Sequence, residues 1–231
     1  MTGKYVAGPY LLVKPGDRLP ADALSVSSCL ADAVPDSWAI EWAKVEDAER
    51  VERAARVGIS SGVLPKVIEW ATEHFDGGGF AWPNVFLDLE VAREFQRRFL
   101  TGSIRLLQIS LPQNLVESFL SMAGPPPQQP GYAPVGATGV YEALSARNPL
   151  TDRSGVRGFE VLGYDSAGRF ESFRGNGLET ELQHVFNIQF NQWGLIEDEA
   201  TALQCAEYAN DPQVSTCATV WHPWLIVEHS L

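Results

Sequence analysis

Gly158-Phe-Glu-Val-Leu-Gly-Tyr164, Asp165-Ser-Ala-Gly168 and Arg169-Phe-Glu-Ser-Phe173 are the three consecutive segments whose reading decides the fold class. Two runs of β-prone apolar and aromatic residues flank a short stretch of turn formers, which is the pattern of two antiparallel strands joined as a β-hairpin. Working outward from the hairpin towards the C-terminus, Leu178, Leu182, Val185, Phe186, Phe190 and Trp193 recur at helical spacing, with Glu179, Glu181, Gln183, Asn187 and Asn191 elsewhere. This spacing predicts a helix from Gly177 to Trp193, stopped by Gly194. A shorter helix is expected from about Asp198 to Ala209, entered through Glu197, Asp198 and Glu199, because acids favour the positive end of the helix dipole. Thr216 to Glu228 reads as a closing strand, bent or pushed to a sheet edge by Pro223.

Towards the N-terminus, Tyr10 to Val13 is a short apolar run closed by Pro15-Gly16, and Trp38 to Ala43 alternates in the manner of a second strand. Helices are predicted over Glu46 to Val57 and over Val63 to Phe75, the latter ending at the glycines Gly77 to Gly79. From Asn84 to Leu100, Val85, Leu89, Ala92, Phe95 and Phe99 make an apolar stripe, and Glu90, Arg93, Glu94, Arg97 and Arg98 occupy the other side in an order that supports a helix. Ile104 to Leu111 reads as a strand and Gln113 to Met122 as an amphipathic helix. Five prolines between Gly124 and Pro134 remove backbone donors and fix φ, so this stretch is an extended loop. The fold class is therefore α+β: a helical N-terminal section with a few strands, then a β-hairpin, two helices and a closing strand in a mainly antiparallel sheet. The chain reads as one domain over residues 1–231, or as two packed lobes, 1–123 and 136–231, joined by the Pro-rich loop 124–135.

Composition bounds the function. The 231 residues are 45% apolar, enough for a full core, and carry a net charge of −12. Binders of nucleic acid or anionic membranes gain affinity from Lys and Arg, so neither partner is expected. No run reaches the roughly 18 consecutive apolar residues of a membrane helix, and the N-terminus has no signal-like apolar stretch, which places the protein in the cytoplasm. Three cysteines, Cys29, Cys205 and Cys217, at wide spacing fit buried free thiols better than a disulfide framework or a zinc clip. The charge is also uneven. Beyond Arg174 the last 57 residues hold eight acids and no Lys or Arg. Such a face either keeps the protein soluble or steers a basic protein partner. Glu197, Asp198 and Glu199 are the partner-binding candidates on that reading. Trp221 and Trp224, flanking His222-Pro223, are candidate aromatic anchors beside them.

Catalytic signals are weak. GxGxxG, P-loop, GxSxG and HExxH motifs are all missing, and the Gly77 to Gly79 tract has no lysine after it, so no cofactor is expected. His74, His184, His222 and His229 include no pair at the i, i+4 spacing of helical ligands, so no metal and no catalytic set is assigned. Glu160 and Glu171 on the two hairpin runs are expected on a solvated outer face. Trp38, Trp42, Trp70 and Trp193 lie on apolar stripes and are expected in the core.

Gly163-Tyr-Asp165, Ser172-Phe173, Asn176-Gly-Leu178, Asn191-Gln-Trp-Gly-Leu195 and Trp221-His-Pro-Trp-Leu-Ile226 together resemble the C-terminal part of bacterial immunity proteins of the polymorphic-toxin type. The resemblance spans about residues 158–228 and rests on spacing and residue style. It implies a cytosolic, acidic α+β antitoxin that neutralises a cognate toxin domain by binding it. No functional residue is carried over from that family. Two alternatives stand beside it: a hydrolase assembled from distant residues such as His184, His222 and Cys217, and an adaptor protein that uses the Pro-rich loop. An enzyme should present a polar pocket with converging titratable groups, and a binder an acidic surface with exposed aromatics.

Overall fold

The computed structural model describes residues 3–15, 19–20, 22–27, 30–34, 47–76, 78–81, 84–123, 139–164, 170–175, 179–214 and 220–230. In chain order the elements are β1 (Tyr5–Pro15), β2 (Ala31–Val34), α1 (Asp47–Arg56), α2 (Leu64–Asp76), β3 (Phe80–Ala81), β4 (Val85–Phe86), α3 (Leu89–Phe99) and β5 (Arg105–Pro112). There follow a 3-10 turn at Gln113–Leu115, α4 (Val116–Ala123), α5 (Gly139–Ser145), β6 (Val156–Tyr164), β7 (Phe170–Ser172), α6 (Glu179–Phe186), α7 (Glu199–Ala209) and β8 (Val220–His229). The strands form a single sheet in the order β3-β4-β1-β5-β8-β6-β7, with β2 also on β1, and every pairing is antiparallel. The α+β class and the β6–β7 hairpin are as the sequence predicts. The predicted strand at Trp38 to Ala43, the Pro-rich loop, the hairpin turn, Cys29 and Cys217 lie outside the described residues.

Two helices are shorter than their apolar spacing suggests. The stripe beginning at Val85 is helical only from Leu89, because Asp88 caps α3 by accepting from the backbone N–H groups of Glu90 and Val91. Val85 and Phe86 instead form β4, with Phe86 opposite both Phe80 and Tyr10. Within α3 the predicted ion pairs form, Arg93 with Glu90 at 2.7 Å and Arg98 with Glu94 at 2.8 Å. α6 stops at Phe186, since Asn187 takes a left-handed φ of 50°. Gly194 does not cap it. Its φ of 69° serves a later turn, in which the Asn191 side-chain oxygen accepts from the N–H groups of Trp193 and Leu195.

The sheet is covered on both sides. Alternate residues of each strand face opposite ways. Leu11, Val13, Leu107, Ile109, Leu162, Trp224 and Ile226 pack with Val116 and Phe119 of α4 and Val140 and Leu144 of α5. On the other face Leu12 and Leu106 meet α1, α2 and α3, while Phe159, Val161, Trp221 and Leu225 meet α6 and α7. Trp70 is buried in the α1–α3 layer, as expected, and Trp193 lies partly buried against the core.

β8 corrects the sequence reading. It is an interior strand between β5 and β6, so Pro223 does not mark a sheet edge. Proline is tolerated there because of where its missing donor would point. Phe159 exchanges hydrogen bonds with Ile196 and Val161 accepts from Phe173, so the odd residues of β6 bond away from β8. Pro223, opposite Val161, therefore needs no N–H towards β6, and the β5 ladder has already ended at Ser110 and Leu225.

Glu160 is a second correction. It is 1% exposed, with its carboxylate held by Arg174 at 3.0 Å, by the Ser25 hydroxyl at 2.6 Å and by the Val26 N–H at 3.3 Å. It does not oppose Glu171, which pairs with Gly163. The buried ion pair ties the segment before β2 to the hairpin. Cys205 is a buried thiol in α7, its pKa pushed up to about 11 by burial.

Candidate functional site

The expected partner-binding residues separate into those at the surface and those inside. Trp221 and Trp224 are 1% and 0% exposed, on opposite faces of β8, and so cannot anchor a partner. They are three apart on a strand that is packed on both sides, which buries both indoles. Glu197 and Asp198 are exposed and Glu199 half-buried at the entrance to α7. Asp198 is the N-cap of α7, accepting from the N–H groups of Ala200 and Thr201 and from the Thr201 hydroxyl. The Thr201 hydroxyl and N–H hold its carboxyl below the ordinary value. Glu199 accepts from the Tyr5 hydroxyl at 2.6 Å. Glu197 is left at the surface, together with Glu207, Asp211 and Glu181, the last accepting from the Tyr208 hydroxyl at 2.6 Å. Among the described residues no Lys or Arg comes within salt-bridge distance of these four acids.

His184 and His222 do not come together. His222 is buried against Phe119 on the α4 face of the sheet, and burial pushes its pKa down. His184 is exposed on α6, which covers the opposite face through Leu182. Among the described residues no group of three or more His, Cys, Asp or Glu is arranged to hold a metal ion, and no helix is long and apolar enough to cross a membrane.

A polar cleft of about 700 Å³ lies elsewhere, between α3 and the 148–154 segment. Its floor is made by an irregularity in β1. The register of β1 on β5 shifts between Ala7 and Tyr10, and a Cβ at Gly8 would stand 2.6 Å from the carbonyl oxygen of Ile109, so only glycine lets the two backbones come this close. Beyond the bulge Asn148 to Leu150 lie beside β1, with the Ala7 N–H donating to Asn148 at 2.8 Å and the Leu150 N–H to Tyr5 at 3.0 Å.

Three side chains lock the floor. The Gln108 amide nitrogen donates to the Gly8 carbonyl at 3.3 Å, which turns its Oε1 towards His229 Nε2 at 3.1 Å. Nε2 therefore carries the proton and Nδ1 the lone pair. Tyr10 meets the His229 ring edge-on at 5.4 Å. Burial, and then Asp88, push the Tyr10 phenol above its ordinary pKa, and burial pushes His229 down. Both are neutral near pH 7. Arg93 also lines the cleft, bonded to Glu90 and to the Ser230 carbonyl. Glu228 is held by Arg105 at 2.8 Å and Arg157 at 2.9 Å. Asp152, exposed at the rim, accepts from the Ser154 N–H and hydroxyl, which keep its carboxyl below the ordinary value.

His229 was visible in the sequence, but its partners were not. Gln108 lies 121 positions away, and only the β5–β8 ladder brings them together. The glycine and proline at positions 8 and 9, inside an otherwise β-prone run, are the one sequence signal for the bulge. Comparison with family models, curated proteins and solved structures gives no match to this chain.

Proposed function

We propose that this chain is a binding protein of the immunity or antitoxin type, which engages a basic protein domain through the acidic surface of α6, α7 and the segment leading into α7. The observation that carries this reading is the set of exposed acids Glu181, Glu197, Glu207 and Asp211, unopposed by any Lys or Arg of the described residues. Exposed acids without counter-charges give the surface a negative potential, which steers a basic partner towards it and which that partner offsets on binding. Blockade of the partner would be steric, with charge setting the encounter rate. The exposed large apolar side chains among the described residues are Val51, Met122 and Val185, and the aromatic ring tied to the acids is Tyr208, whose hydroxyl donates to Glu181.

The test uses reversals that leave the fold alone. Asp198 caps α7 and Glu199 holds Tyr5, so neither is suitable. Glu197→Lys with Glu207→Lys alters two exposed acids that have no bonded partner of their own among the described residues. Immobilised wild-type protein should retain a basic protein from the source lysate at low salt and release it at high salt. The double variant, with an unchanged melting temperature, should retain about tenfold less or worse. Equal retention by both would remove this surface from the reading.

A further inference from the structure

We draw no further inference here: the strongest candidate, the polar cleft between α3 and the 148–154 segment, has only the exposed carboxylates Glu142 and Asp152 without an ion-pair partner among the described residues, is lined by Arg93 as well, and is reached by none of the buried polar atoms left without a hydrogen-bond partner, which belong to Ser110, Arg174, His222 and Trp224.

Discussion

Glu160 and Arg174 meet at 3.0 Å with side chains 0% and 5% exposed, where neither charge could remain alone. Removing one partner leaves the other buried and unpaired, so Glu160→Ala should cost about 3–5 kcal/mol in urea unfolding. Glu160→Leu combined with Arg174→Met should recover most of that loss. If the double replacement is as unstable as the single one, the hydrogen bonds from Ser25 and Val26 matter more than the charge pair. His222 shows the other way to bury a titratable group, which is to keep it neutral. Burial lowers its folded-state pKa, and the unfolded chain takes up the proton near the ordinary value of about 6.5. The unfolded state then binds more protons, so stability falls as pH drops below about 6.5 and levels off only beneath the folded-state pKa. His229 contributes in the same direction. Unfolding of His222→Gln between about pH 7.5 and about pH 5.5 should show a shallower loss than the parent protein. An unchanged slope would assign the effect to other groups.

At the scale of an element, α7 depends on one residue at its entrance. Asp198 satisfies the N–H groups of Ala200 and Thr201, and Asp198→Ala should cost about 1 kcal/mol, read from the thermal unfolding midpoint. Asp198→Asn keeps an acceptor and should lose less. The lowered pKa of Asp198 also gives a sign: its stabilisation is full well above the unfolded carboxyl value of about 3.9 and disappears as pH falls through the folded one. α3 shows how far an apolar stripe can mislead. Val85 and Leu89 are four apart and match a helical face, yet Asp88 starts the helix between them and Phe86 is taken by the sheet. Capping chemistry at a single position outweighs periodicity where the two disagree.

Across the whole molecule, β5 from before the Pro-rich segment pairs with β8 from after it, and one apolar cluster contains Leu107 and Phe119 together with Leu162 and Trp224. A sheet shared in this way should unfold in one step. Trp70, Trp221 and Trp224 sit in three different clusters, so tryptophan fluorescence and far-ultraviolet circular dichroism should report the same urea midpoint. Two separated transitions would mean that the halves on either side of the Pro-rich segment come apart independently.

The amino-acid sequence by itself determined the α+β class, the β6–β7 hairpin, most helices and the concentration of negative charge beyond Arg174. All of these rest on local periodicity, turn chemistry or counting, which need no knowledge of distant residues. The tertiary structure decided which strands lie inside the sheet, and with that the fate of Trp221, Trp224 and Glu160. The near-continuous apolar run from Val220 to Val227 carried the signal of a strand buried on both faces, although Pro223 read locally as an edge marker. The Tyr10, Gln108 and His229 cluster was beyond any local reading, because antiparallel pairing alone brings side chains from β1, β5 and β8 to one point. A proline's missing N–H and an acid's missing counter-charge are both properties of neighbours, and the neighbours are chosen only when the sheet assembles.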